Sequence, residues 1–463
     1  MSDLIKNIHL YRRAGFGLSV EDFKKAETNT KDSILKSIFK NSSNPTELKP
    51  DLETSKFTRK PKDLSAAERK EFQKKAREDN IAINILWLNK MATSEEFLNE
   101  KMTLFWHNHF ACKSKLPKLN LLQNNLIRKY ALGNFREFVH SISKDASMLA
   151  FLNNLQNKKD APNENFAREL MELFTIGKGN YTEDDIKNAA RAFTGWSVDE
   201  DGEFILRKRQ HDSGTKKFFG KSGNFEGEDI INILLDDRRT SEFITTKILK
   251  AFVNPYPDKD KIKEYSKYFY ESDYNIKNLM TKIFSESYFY ETGNINSLIK
   301  SPVELLAGLM KFFNITFSSN KSPLAVQKIL GQILLNPPNV AGWKGGKNWI
   351  DSSSLLFRMN LAEYFFKSSD IELNYKDELE DNAQIKSILK QLDANVNLTE
   401  FKNYFSGFEK EKQEEKICYF ILGTIPDNKN SELAKQYSDN SNSEKFIESF
   451  ALKLTSLPEF QLC

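Results

Sequence analysis

The chain has 463 residues, 39% hydrophobic and 29% charged, with 36 Phe, 15 Tyr and 5 Trp; this is enough apolar surface for one large domain or two to three packed ones, and it excludes disorder throughout. Lys and Arg total 68 against 64 Asp and Glu, a net charge of +4 that is too slight for a dedicated nucleic-acid binder. No apolar run approaches the roughly 20 residues needed to span a bilayer, and Cys112, Cys418 and Cys463 are too few and too scattered for a disulfide framework or a thiolate zinc site. Met1 to Gly17 carries Asp3, Lys6, Arg12 and Arg13 without the apolar stretch of a signal peptide. The expected location is the cytoplasm.

In chain order, residues 1–44 read as an N-terminal helical segment, and residues 45–63, with Pro45, Pro50 and Pro61, as a linker. Residues 64–367 read as a motif-bearing helical core and residues 368–463 as a C-terminal helical segment packed on it. Helix formers run from Leu64 to Met91, and Thr93, Ser94, Glu95 and Glu96 suggest a capping box opening a helix to about Phe110. Pro162 and Gly177 frame a short helix from Phe166 to Thr175. Thr182, followed by three acidic residues, caps another with Ile186, Ala189, Ala190 and Phe193 on its apolar face; Gly195 ends it. The one extended segment is Glu203 to Gln210, with a turn at Asp212 to Gly214 and an apolar piece at Phe218 and Phe219. This predicts a small hairpin-like insertion near 203–220. The fold class is therefore mainly α, a large multi-helix domain.

Only five histidines occur, and three sit in unusual settings: His107 and His109 in Trp106-His-Asn-His-Phe110, and His211 before Asp212. On a regular helix His109 shares the apolar stripe of Leu98, Met102 and Phe105, and His107 lies about 200° away, so one regular helix cannot aim both at one metal. In the segment Asn163 to Glu172, Arg168, Glu169 and Glu172 share a polar sector. Two carboxylates at i, i+3 can hold a divalent cation or divide acid and base roles, and Arg168 to Glu172 also suits a plain surface ion pair. Arg207, Lys208, Arg209, Lys216 and Lys217 surround His211 and Asp212 with cations that suit an anionic ligand. A second basic run, Lys56 to Arg77, has Phe57 and Phe72 as its only aromatics and reads as a solvated helix face. The loop Gly342-Trp-Lys-Gly-Gly346 predicts a pocket wall. Nucleotide-binding glycine fingerprints, G-x-S-x-G and H-E-x-x-H are absent.

Together, His9-Leu-Tyr-Arg-Arg-Ala-Gly-Phe-Gly17, the His107 motif, Pro162 to Glu172, Ala190-Arg-Ala-Phe-Thr-Gly-Trp196, His211-Asp212 and Pro338-Asn-Val-Ala-Gly-Trp343 resemble the bacterial family catalogued as domain of unknown function 1800. The resemblance runs from His9 to Gln461 and implies motif residues, His9, Asp145 and Glu164 among them, but no reaction. Many members resemble exported proteins with longer N-termini, whereas this sequence starts almost at the His9 motif. The combined expectation is a divalent-metal enzyme (Zn, Mn or Fe), hydrolysis first and iron-dependent oxidation second. His107, His109, Glu169 and His211 would ligate the metal; Glu169, Glu172, His211 and Asp212 would be catalytic; Arg168, Lys216, Lys217 and Trp343 would hold a small or anionic substrate. The site requires a motif histidine, one of the two glutamates and His211 within about 8 Å of one another. The alternative is a non-catalytic binding or assembly protein in which these side chains form a buried polar network. Nothing in the sequence specifies an oligomeric state.

Overall fold

Helices follow one another along nearly all of the computed structural model, which describes residues 2–56, 64–368, 392–426 and 428–463. The fold is mainly α. Helix starts fall where short polar side chains can satisfy free N–H groups: Ser19, Ser65, Thr182 and Ser301 each form a full capping box, worth about 1 kcal/mol apiece. The helix expected from Leu64 runs Ala66–Thr93. The box expected at Thr93 to Glu96 does not form. Ser94 closes the preceding helix through its N–H to Lys90 O, Glu96 turns back to Lys90 at 2.8 Å, and the next helix, Phe97–His109, begins without a side-chain cap.

The stretch after Pro45 is held against the helical core. Thr46 bonds Glu96, Leu48 exchanges hydrogen bonds with Asn125, and the N–H groups of Glu53 and Thr54 donate to buried Asp79. Residues 57–63, including Phe57 of the basic run, lie outside the described residues.

The expected insertion near 203–220 is two hairpins. Strand Phe204–Leu206 pairs backward with Trp196–Val198, and Lys216–Phe218 pairs with Lys221–Gly223. The reason is turn chemistry. Asp199 Oδ1 accepts the N–H groups of Asp201 and Glu203 to close the first loop, while Phe219 and Gly220, at φ 47° and 75°, form the tight left-handed turn that a two-residue hairpin needs. A third antiparallel pair joins Ile315–Phe317 to Ala394–Val396.

One hydrophobic core runs from Ile8 to Phe460. The helix Phe97–His109 lies at its centre: eleven of its thirteen residues are buried, so its polar side chains must find protein partners on every side. No helix among the described residues is long and apolar enough to cross a membrane.

Candidate active site

The two histidines of the central helix leave it in different directions, as their angular offset requires. His107 Nε2 accepts the N–H of Leu335 at 3.3 Å, and its ring lies 5.2 Å from Trp87 and 5.9 Å from Trp343. Burial pushes its pKa down to about 4. His109 instead faces the segment Leu170–Phe174, where its Nε2 lies 3.2 Å from Phe174 O. A carbonyl can only accept, so Nε2 carries the proton and Nδ1 accepts from Lys247 Nζ at 3.0 Å. Burial and the Lys247 charge hold His109 neutral; burial pushes Lys247 itself down to about 8.

Leu170–Phe174 is a π-helical turn that follows the short α-helix Asn165–Glu169. Such turns are rare and concentrate at functional sites, because the extra residue frees carbonyls and re-aims side chains. Here Lys247 Nζ also donates to Leu173 O at 3.1 Å, and Thr175 Oγ1 donates to Leu170 O at 2.7 Å. On the outer side, Tyr181 donates its hydroxyl to Glu172 Oε2 at 2.6 Å, and Lys178 lies 3.8 Å from the other oxygen. Glu169 is half-buried and has no hydrogen bond among the described residues. Burial, then the Glu172 charge, raises its pKa. His109, Glu169 and Glu172 thus serve one turn, with Lys247 beneath it.

The remaining expected site residues make contacts of their own. His211 Nδ1 donates to Thr194 O at 2.8 Å, and Asp212 forms a two-point ion pair with Arg191 at 2.7 and 3.3 Å that holds its carboxylate below the usual range. Lys216 is buried, its ammonium spent on Asp212 O and Gly214 O; Lys217 is exposed. Arg168 does not pair with Glu172. It bonds Glu164 and Glu183. Glu183 opens the helix Glu183–Ala192 and Arg191 nearly ends it, so the Arg168 and Asp212 contacts sit about 12 Å apart along that axis. The Trp343 ring lies tilted 5.9 Å from His107, and its main chain is bonded to Asn108 at 2.7 and 3.2 Å.

The four side chains expected to ligate a metal are not gathered into one group. His107 accepts from Leu335 through Nε2, His109 is engaged at both nitrogens, and His211 is held through Nδ1 by Thr194, which leaves His107 Nδ1 and His211 Nε2 without a protein hydrogen bond among the described residues. Among the described residues no group of three or more His, Cys, Asp or Glu is placed to hold a metal ion. The sequence profile of a family described as protein of unknown function (DUF1800) matches residues 9–462. The chain belongs to the DUF1800 family. No curated protein and no solved structure matches it.

In this DUF1800 chain two residues of the site carried no local signal. Lys247 lies on the helix Arg238–Phe252, among ordinary surface-like charges, and Tyr181 falls in a turn; only the packing of those elements on the π-turn brings them in. Other motif residues have packing or capping contacts of their own. Asp145 caps the helix Ala146–Phe151, and burial pushes its pKa up to about 6. His9 packs 4.6 Å from Phe289. Gly342 has φ 72°, and a Cβ there would collide with Asn108, 2.5 Å from its main-chain oxygen. Gly342→Ala should therefore lower stability by roughly 1–3 kcal/mol, read as a urea midpoint shift; an unchanged midpoint would mean that this loop is not seated on Asn108.

Proposed function

We propose that this protein is a hydrolase that works by acid–base chemistry at Glu169 and Glu172. The observation that supports it most is the asymmetry of the pair: Glu169 is half-buried, unbonded and raised in pKa, while Glu172 is anchored by Tyr181. Two neighbouring carboxyls in such unlike surroundings can divide the roles of proton donor and acceptor. Glu172 takes a proton from water, the hydroxide adds to the substrate's electrophilic centre, and Glu169 gives its proton to the leaving group. His109 and Lys247 hold the turn that follows Glu169 and carries Glu172. Among the described residues the ion pairs of Glu164, Glu172 and Glu183 run to Arg168 and Lys178, with Lys187 acting on Glu183 at longer range; four carboxylates thus outnumber these cations, which favours a neutral or cationic substrate over the anionic one expected from the His211 region.

The test is a panel of chromogenic esters, amides and glycosides. One class should be turned over, with a rate that falls as pH rises through the Glu169 pKa, because the acid must be protonated. Glu169→Gln and Glu172→Gln should each reduce kcat by about 100-fold or more at nearly unchanged melting temperature. A second reading, a non-catalytic binding protein, is favoured by the hydrogen bonds that His109, His211, Asp212 and Lys216 spend inside the fold. It takes over if no class is turned over and both glutamine variants melt several degrees early.

A further inference from the structure

A cleft of about 950 Å³ opens between the helices Asp3–Ala14, Val20–Thr28, Lys31–Asn41 and Thr399–Phe405, and no residue of the π-turn lines it. Its size is near the top of the range for small-molecule sites. A second cleft of about 660 Å³ adjoins it, with Asn314, Asn397, Thr399 and Asn403 in the walls of both. Together they make one elongated groove.

The charges along this groove cancel in pairs: Lys25 lies 2.7 Å from Glu21, Lys311 2.9 Å from Asp22, Lys402 2.6 Å from Glu448 and Lys24 3.7 Å from Glu400. No lining lysine is left for an anionic ligand. The uncommitted groups are neutral instead, since among the described residues neither the Tyr11 hydroxyl nor the side chains of Ser37, Asn314 and Asn403 have a hydrogen bond. Tyr11 is only 4% exposed. Burial, then the charges of Asp22 and Glu21, raise its pKa, which sets the hydroxyl toward the wall those carboxylates form and keeps it protonated as a donor. A buried hydroxyl needs an acceptor, and the cleft is where one can enter.

Hydroxyls and carboxamides both donate and accept, which is what the adjacent hydroxyls of a sugar ring require, and the C–H face of such a ring packs on aromatic surface. Half-buried Tyr404 and Phe408 supply that surface. We infer that the groove binds a neutral, linear oligosaccharide, with Tyr11 donating to one of its oxygens and the free carboxamides of Asn314 and Asn403 bonding its hydroxyls. The test is saturation-transfer difference NMR, then calorimetric titration, of the full chain with cellotetraose, maltotetraose, xylotetraose and N-acetylchitotetraose, beside pentalysine and a heparin tetrasaccharide. At least one neutral tetrasaccharide should bind saturably, and its monosaccharide at least about 10-fold more weakly, because it reaches only part of the groove. Tyr11→Phe removes a hydroxyl that bonds no protein group, so it should weaken this binding by roughly 3- to 10-fold without lowering the melting temperature. No response to any of the four neutral tetrasaccharides at millimolar concentration overturns the proposal. So do binding of pentalysine or the heparin fragment alone, a monosaccharide that binds as tightly as its tetrasaccharide, and saccharide binding that Tyr11→Phe leaves at full strength, which is the result if the sugar sits at Glu169.

Discussion

Arg128→Met should lower stability by about 3–5 kcal/mol, since removal of one partner leaves a buried charge uncompensated. Glu100 is 0% exposed and Arg128 1%. Arg128 Nε donates to Glu100 Oε1 at 2.7 Å and Nη2 to Oε2 at 3.1 Å, Nη1 donates to Asn125, and Trp87 Nε1 adds a further bond to Oε2 at 2.9 Å. These groups tie together the helices Ala66–Thr93, Phe97–His109 and Pro117–Tyr130. The substitution leaves Glu100 with Trp87 and, 3.8 Å away, Lys90, which is a poor substitute for a two-point guanidinium. Urea denaturation at pH 7 reads the loss as a lower midpoint at unchanged slope. Glu100→Met combined with Arg128→Met should recover most of it, because the pair can be replaced by apolar volume more cheaply than it can be halved. A loss under about 1 kcal/mol for the single variant would mean that water reaches Glu100.

Stability should also fall steeply with acid, above the range where carboxylates usually titrate. His9, His107 and His109 are all buried with pKa values held below the ordinary 6.5, chiefly by desolvation, His107 to about 4. Between the folded and unfolded values the unfolded chain holds the extra proton, so the stabilisation is complete above about pH 6.5 and is lost as pH falls toward 4. Asp145, raised to about 6, works in the opposite direction by one proton. Near pH 5 His107 alone takes up about one proton on unfolding, a slope on the order of 1.4 kcal/mol per pH unit, to which His9 and His109 add and from which Asp145 and Glu169 subtract. Urea midpoints between pH 7 and 5 measure it, and His107→Gln should flatten the slope by about 1.4 kcal/mol per unit. A midpoint that stays level over this range would show that the imidazoles are protonated in the fold.

Local chemistry was legible in the sequence wherever short-range physics decides. The extent of Ala66–Thr93 followed from helix propensity and the start of Glu183–Ala192 from the Thr182 cap, and the divergence of His107 and His109 followed from helix geometry alone. The Thr93 to Glu96 box failed because Lys90 and Thr46 compete for Glu96. The small hairpin insertion near 203–220 was legible, but its pairing was not, because Phe204–Leu206 lies beside Trp196–Val198 through a loop that Asp199 closes. The π-turn was invisible, since Leu170 to Phe174 carries an ordinary helical pattern and the extra residue is stabilised from outside by Thr175, His109 and Lys247.

By itself, then, the sequence determined the mainly α class, the family and which residues are chemically unusual, because these rest on composition, period and motif. Only the tertiary structure decided which of them meet. It packed His109 against the π-helical turn that follows Glu169 and carries Glu172, sent His211 to Thr194 and Asp212 to Arg191, and gathered Arg12 and Lys300 from positions 288 residues apart around one small cavity. Such meetings depend on long-range packing of elements whose own sequences carry no record of their partners.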